Sequence, residues 1–250
     1  MIFSLDVRRA RKGDCLLLHY GTKSDPGLVV IDGGPADVYS PHLKPRLERI
    51  RKQRGIDKGA PLPIDLLGHG TADKPHDPAA YAHLEQMVAD QLPTTPVDAV
   101  GFSLGARTLL TIACDAPERF ERLVLTGVGA NLLRTEGSDV ILKAIEGDGD
   151  PTNPVVQYFA GLAQHPEVDR EALAACLQSP RPALTPERLT RVELPVLVII
   201  GDKDFAGPGE PLADALPQAE LVTLRNVDHF ATPKDFGTID AALDFLGAAL

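Results

Sequence analysis

The stretch VDAVGFSLGARTLLTIAC, residues 97–114, joins a strand-like pattern directly to a helical one. VDAVGF predicts a buried strand, and Leu104–Ala116 predicts a helix. Between them stands the pattern G-x-S-x-G. Gly101 and Gly105 leave room for a tight strand-to-helix turn, which would raise Ser103 at the carboxyl edge of a sheet. An ordinary strand-to-helix turn with a capping serine is the alternative interpretation.

The remainder of the chain continues this alternation of strands and helices. Predicted strands are Ile2–Val7, Cys15–Tyr20, Gly27–Ile31, Leu62–Leu67, Leu123–Thr126, Pro195–Ile200 and Glu220–Leu224, and predicted helices include His42–Arg54, Tyr81–Gln91 and Thr238–Leu250. The order predicts an α/β fold with a mostly parallel central sheet, helices on both faces and an antiparallel first strand pair.

Residues 133–190 carry helical patterns only, such as Val155–Gln164 and Arg170–Gln178. We therefore predict a helical cap or lid at 133–190, inserted between core segments 1–132 and 191–250.

Composition removes several classes of protein. The 250 residues are 44% apolar and carry a net charge of −10, with +5 in residues 1–63 and −15 in residues 64–250. The acidic balance argues against a nucleic-acid partner, and no apolar run is long enough for a membrane span. Three scattered cysteines and the charged N-terminus favour a reducing, cytoplasmic setting without a signal peptide. The sequence leaves open whether the chain forms a homo-oligomer.

A serine nucleophile needs a base and a carboxylate that orients the base. Two downstream loops, each following a predicted strand, supply them. His229 would accept the serine proton, and Asp204 would hold the imidazole. Asp202 is the alternative acid, and we expect Asp228 to cap or hydrogen-bond locally. We expect catalysis to need no cofactor.

Residues 64–250 resemble the α/β-hydrolase superfamily in four segments: DLLGHGTADKP (65–75), VGFSLGARTLL (100–110), PVLVIIGDKD (195–204) and VDHF (227–230). The resemblance implies an α/β-hydrolase fold and a serine esterase with two oxyanion donors. One would be the backbone N–H of Leu104. The second would follow the third strand, where this chain has Asp32-Gly33-Gly34-Pro35, and Gly34 is our candidate, with a plain glycine turn as the alternative. Asp32 would place a carboxylate nearby and disfavour anionic substrates.

Residues 2–67 resemble a different family, the metallo-β-lactamase-fold hydrolases, in LDVRRARKGDCLLLHYG (5–21) and LVVIDGGP (28–35). That family continues with H-x-H-x-D-H, whereas this chain has GHGTAD at 68–73, which cannot build a two-metal site. We therefore expect no bound metal. The hypothesis is a chimeric chain of two ancestries, joined near Leu66–Gly68 into one sheet.

The leading functional hypothesis is a carboxylesterase that cleaves short to medium acyl esters of a small-molecule substrate through an acyl-enzyme. Aromatic residues flank the predicted site, either as core packing, which is favoured, or as substrate contacts: Phe102, Phe230, Tyr158 and Phe159. A lactonase, a C–C bond hydrolase or a perhydrolase could use the same triad. A ligand-binding protein on this fold and a metal-dependent hydrolase are the alternatives of other classes.

Overall fold

The computed structural model describes the strands 5–10, 13–18, 21–22, 25–26 and 28–32, and then residues 62–134, 138–166 and 168–246. The strands are β1 (Leu5–Ala10), β2 (Gly13–Leu18), β3 (Gly21–Thr22), β4 (Asp25–Pro26), β5 (Leu28–Asp32), β6 (Leu62–Asp65), β7 (Val97–Phe102), β8 (Phe120–Thr126), β9 (Val196–Gly201) and β10 (Ala219–Leu224). The α-helices are α1 (Leu84–Ala89), α2 (Leu104–Asp115), α3 (Ser138–Glu146), α4 (Pro154–Ala163), α5 (Arg170–Gln178), α6 (Pro186–Leu189), α7 (Glu210–Asp214) and α8 (Phe236–Phe245).

Among the described residues, six strands form one central sheet in the order β10-β9-β8-β7-β5-β6, and every neighbouring pair is parallel. This confirms the predicted parallel α/β sheet and puts the third predicted strand inside it, between β6 and β7. All six carboxyl ends lie along one edge, which is where ligands bind in open α/β sheets.

The first two strands pair antiparallel, as predicted, from Leu5 opposite Leu18 to Ala10 opposite Gly13. They form a two-stranded sheet of their own rather than the start of the central sheet. A second short antiparallel pair, β3 with β4, follows and has no counterpart in the sequence prediction.

Alternate residues of the central strands are buried on opposite faces of the sheet. On β7, Ala99 packs with α2 residues such as Leu109, whereas Val100 packs with Ala242 of α8 on the other side. The period of two in each strand therefore gives one apolar layer to each face, and helices cover both, as predicted.

Some helices begin at other residues than predicted, because capping side chains and prolines set where they start. The predicted helix Tyr81–Gln91 starts as a 3-10 turn at Pro78–Tyr81, capped by the Asp77 carboxylate, before α1 begins at Leu84. Helix α8 begins at Phe236, because Asp235 caps the Gly237 N–H at 2.8 Å. Helix α7 was not predicted. The predicted helix His42–Arg54 lies outside the described residues.

Within 133–190, the described residues contain helices and no strand. Polar side chains cap three of these helices: Asn153 on α4, Asp169 on α5 and Thr185 on α6. Such caps satisfy N–H groups that have no partner inside the helix, which explains where each helix starts. In the part of the chain that is described, no helix combines the length and the apolar character needed to cross a membrane.

Candidate active site

Ser103 occupies a strained turn between β7 and α2. Its φ is 52° and its ψ is −113°, a left-handed conformation that non-glycine residues rarely adopt. The Ser103 N–H donates to the Thr126 carbonyl at 2.9 Å, and the Ser103 carbonyl accepts from Arg107 N–H at 3.0 Å. A Cβ at Gly101 would lie 2.7 Å from the Ala106 backbone, so the close approach needs glycine there. The sequence motif therefore produces the turn that it predicted.

His229 lies between Ser103 and Asp204. Its Nε2 is 3.1 Å from the Ser103 hydroxyl oxygen, and its Nδ1 is 2.9 and 3.0 Å from the two Asp204 carboxylate oxygens. An ionised carboxylate can only accept, so Nδ1 carries a proton that it donates to Asp204. In the neutral imidazole, Nε2 is then free to accept from the Ser103 hydroxyl. The arrangement can remove a proton from the serine.

The His229–Asp204 pair is shielded from water. The two side chains are 5% and 0% exposed. Asp204 also accepts a hydrogen bond from the Ala206 N–H at 2.8 Å, which fixes the carboxylate. A buried, hydrogen-bonded carboxylate of this kind holds an imidazole in one tautomer and stabilises its protonated form.

Asp202 and Asp228 make local hydrogen bonds instead. Asp202 is exposed and accepts from the N–H of Asn226, a residue with a positive φ of 60°. Asp228 accepts from the Ala231 N–H at 2.8 Å, as the sequence suggested. Of the two candidate acids, Asp204 is the one whose carboxylate contacts His229, while Asp202 supports the turn that leads into the histidine loop.

Aromatic rings surround the imidazole. Ring centroids of Phe102, Phe205 and Phe230 lie 4.8, 4.3 and 5.6 Å from that of His229. Tyr158 of α4 stacks on Phe230 with centroids 3.5 Å apart, and Phe159 packs edge-on against Tyr158. Of the four aromatic residues predicted to flank the site, Tyr158, Phe159 and Phe230 pack together and join the helical segment to the histidine loop, and Phe102 packs against His229.

A cavity of about 750 Å³ opens next to Ser103 and Leu104. Phe205 is the aromatic residue in its described wall, and Phe102, Tyr158, Phe159 and Phe230 are not part of that wall. Sequence reasoning missed Phe205, although its position directly after Asp204 places it in the same loop. The cavity is of a size that holds small-molecule ligands.

Of the two predicted oxyanion donors, the structure describes Leu104 but not Gly34. Leu104 is the first residue of α2, and N–H groups in the first turn of a helix have no partner within the helix. Its N–H is thus placed beside Ser103. Gly33 and Gly34 lie outside the described residues. No group of three or more His, Cys, Asp or Glu side chains in the described part of the chain is placed to hold a metal ion.

His69 lies in the loop after β6. Its ring is buried, and its Nδ1 lies 3.1 Å from the Leu67 carbonyl oxygen. Burial lowers the pKa of His69 below its usual value, so the ring is neutral at pH 7. This contact gives His69 a structural role in the loop.

A family model described as the alpha/beta hydrolase family matches residues 20–237. The chain belongs to the α/β-hydrolase family. The match starts at residue 20 and so includes much of the segment that resembles metallo-β-lactamase-fold hydrolases, and the comparisons lend that second resemblance no support.

The sequence of this α/β hydrolase is similar to those of two enzymes. A pimeloyl-[acyl-carrier protein] methyl ester esterase of Neisseria meningitidis is 28% identical over 194 residues, which cover 66% of this chain and 74% of that enzyme. A 2-hydroxy-6-oxo-2,4-heptadienoate hydrolase of Pseudomonas putida is 28% identical over 149 residues, covering 57% and 51%. A solved hydrolase from Pseudomonas aeruginosa shares the fold, with a TM-score of 0.63, 23% identity and coverage of 98% and 99%.

Proposed function

We propose that this α/β hydrolase is a serine carboxylesterase acting on short to medium acyl esters, with Ser103, His229 and Asp204 as its triad. The observation that carries the proposal is the continuous hydrogen-bond chain from the Ser103 hydroxyl through the His229 ring to the buried Asp204 carboxylate. Nucleophile, base and orienting acid in hydrogen-bond reach are what acyl transfer requires.

In this mechanism, His229 Nε2 takes the hydroxyl proton as Ser103 Oγ attacks the ester carbonyl. The tetrahedral intermediate collapses, the alcohol leaves with the proton from His229, and an acyl-enzyme remains. Water, deprotonated by His229, then attacks the acyl group and returns Ser103 to its free form. Asp204 stabilises the imidazolium that forms in both halves of the reaction.

The developing oxyanion would be bound by the Leu104 N–H, assisted by the N-terminal end of α2. Gly34 is the proposed second donor, from the loop after β5. A donor pair of this kind acts mainly on the transition state, because the negative charge forms only there.

We also propose that residues 133–190 form a cap over the site. The stacked Tyr158 and Phe230 rings support this, since they join α4 to the loop that carries His229. The cavity of about 750 Å³ is compatible with small or medium acyl groups. The joining of two ancestries near Leu66–Gly68 and a cytoplasmic location remain hypotheses.

A second candidate, hydrolysis of a C–C bond, is favoured by the similarity to the heptadienoate hydrolase. The same serine, histidine and aspartate could serve either reaction. A panel of alkyl esters and vinylogous 1,5-diketones separates the candidates, because an esterase will favour the esters in kcat/KM and a C–C hydrolase the diketones.

The test of the nucleophile is Ser103→Ala, assayed with p-nitrophenyl esters of increasing chain length. We expect kcat to fall by about 10⁴-fold or more, because removal of a triad nucleophile leaves only binding and oxyanion stabilisation. The melting temperature should stay near that of the wild type, which separates loss of chemistry from loss of folding. A chelator should leave wild-type activity unchanged. Activity of the variant close to wild type would refute the nucleophile assignment.

A further inference from the structure

The wall of the cavity beside Ser103 is cationic. Three arginines line it, Arg107, Arg134 and Arg181, and no aspartate or glutamate stands among the described lining residues. This contrasts with residues 64–250 as a whole, which carry a net charge of −15. The positive wall is therefore a local feature of the cavity and does not follow from the average composition.

Arg107 is held close to the nucleophile. It lies one helical turn after Ser103 on α2, and residues four apart share a helix face. Its guanidinium donates to the Pro182 carbonyl and makes no ion pair with a described residue. Burial, and to a smaller extent the charge of Arg181, lower the pKa of Arg107 to about 10, against a weaker opposing effect from Glu85. The positive charge of Arg107 is thus partly buried and lies near the positive charge of Arg181.

Arg181 and Ser179 line the same cavity, just beyond the end of α5. One Arg181 nitrogen donates to the Cys176 carbonyl at 2.6 Å and lies 3.1 Å from the Cys176 Sγ, which fixes the side chain. The other guanidinium nitrogens make no hydrogen bond to a described residue. Ser179 is 3% exposed, and its hydroxyl has no hydrogen-bond partner among the described residues.

We infer that this cavity binds a substrate carrying an oxyanion group, a carboxylate or a phosphate, away from the bond that Ser103 attacks. Arg107 and Arg181 would bind the anion, and Arg134 would attract it from the exposed rim. Guanidinium groups suit this role, because their fixed pairs of N–H donors match carboxylate and phosphate oxygens.

The inference opposes the expectation drawn from Asp32, that a nearby carboxylate disfavours anionic substrates. Asp32 ends β5, and its side chain is outside what the structure describes. The described wall carries three arginines and no carboxylate, and Asp32 would add one negative charge. We therefore expect the arginines to dominate the potential at the anion.

The inference rests on the proposed hydrolase activity, and matched substrate pairs test it. Monomethyl adipate and methyl hexanoate present the same methyl ester and differ in a terminal carboxylate. The acetate ester of 6-hydroxyhexanoate and hexyl acetate place the same difference on the alcohol side. We expect a preference in kcat/KM of about tenfold or more for the anionic member of at least one pair, as for a charge-assisted hydrogen bond.

Arg181→Gln should reduce that preference several-fold, because it lowers kcat/KM for the anionic member of the pair more than for the neutral member. Arg191→Gln is the matched control, because Arg191 is exposed and lies outside the cavity wall, so this variant should keep the preference. Inhibition by hexanoate and by pentyl phosphate then shows which oxyanion binds more tightly. Absence of a preference in both pairs, or a preference that Arg181→Gln leaves intact, would overturn the inference.

Calorimetry of adipate and of pentyl phosphate with the wild-type protein separates this inference from the proposed function. If neither ester pair is hydrolysed but an anion binds and Arg181→Gln abolishes the binding, the hydrolase proposal fails and the anion site stands. If esters are hydrolysed and neither anion binds, the anion site fails alone.

Discussion

At the scale of single residues, Ser103 shows how the site stores strain. A non-glycine residue held at a φ of 52° costs about 1–3 kcal/mol, which the surrounding turn must offset. Backbone hydrogen bonds on both sides and the close approach at Gly101 keep it in place. The strained conformation directs the hydroxyl toward His229. The site therefore depends both on the serine side chain and on the backbone conformation at this position.

The choice between Asp204 and Asp202 gives a prediction at the same scale. Asp204→Asn should lower kcat by roughly 10³- to 10⁴-fold, because the amide no longer stabilises the imidazolium or selects its tautomer. Asp202→Asn should stay within a few-fold of wild type, since an amide oxygen can still accept from the Asn226 N–H. Steady-state kinetics on one ester measures both variants. Equal losses would contradict the role given to Asp204.

At the scale of elements, His76 connects the loop after β6 to the start of α5. Its Nε2 lies 3.1 Å from the Asp169 carboxylate and its Nδ1 lies 2.9 Å from that of Glu171. Asp169 also caps α5 through the Ala172 N–H. The proposed cap is thereby joined to the core by one exposed, titratable side chain.

These contacts predict a pH-dependent contribution to stability. The hydrogen bond to Asp169, with the charges of Asp169 and Glu171, raises the pKa of His76 above 6.5. A raised folded-state pKa adds stability that is complete below pH 6.5 and is lost as pH rises through the folded value. The melting temperature of wild type should therefore exceed that of His76→Gln at pH 5.5, by a small margin for so exposed a pair, and equal it at pH 9.

His83→Gln is the control for that measurement. His83 is exposed and makes no side-chain cap to α1, so its replacement should produce no such pH-dependent difference. A His76→Gln difference that persists unchanged at pH 9 would assign the effect to packing rather than to charge.

At the scale of the whole molecule, one ion pair links the sheet to the last helix. Arg122 on β8 donates two hydrogen bonds to Asp98 on β7, at 2.8 and 2.6 Å, and another nitrogen donates to the Phe245 carbonyl of α8. The Asp98 side chain is 2% exposed. Two strands and the helix that covers them therefore share one buried polar contact.

Asp98→Ala should lower the free energy of unfolding by about 3 kcal/mol, because it removes the carboxylate from a largely buried guanidinium. Asp115→Ala, which breaks an exposed pair with Arg188, should cost at most about 1 kcal/mol. Denaturant titration compares the two. A larger loss in the Asp115 variant would refute the importance given to the buried pair.

The fold was predictable where the pattern is local. VDAVGF was expected and found as β7 with the same bounds, and Arg170–Gln178 was found as α5 with the same bounds. The central sheet was expected to be parallel and is. The separation of β1 and β2 from that sheet was not foreseen, because alternating apolar residues do not identify the strand with which a segment pairs.

By itself, the sequence determined that Ser103, Asp204 and His229 each come after a strand. Each of them follows an apolar run whose period can be counted. Parallel strands end at one edge, so their meeting was expected as well. Only the tertiary structure decided that Asp204 rather than Asp202 contacts His229, that Phe205 enters the cavity wall, and that Arg107 and Arg181 line the same cavity. Those facts depend on side-chain packing between segments far apart in the chain, and no local period encodes such contacts.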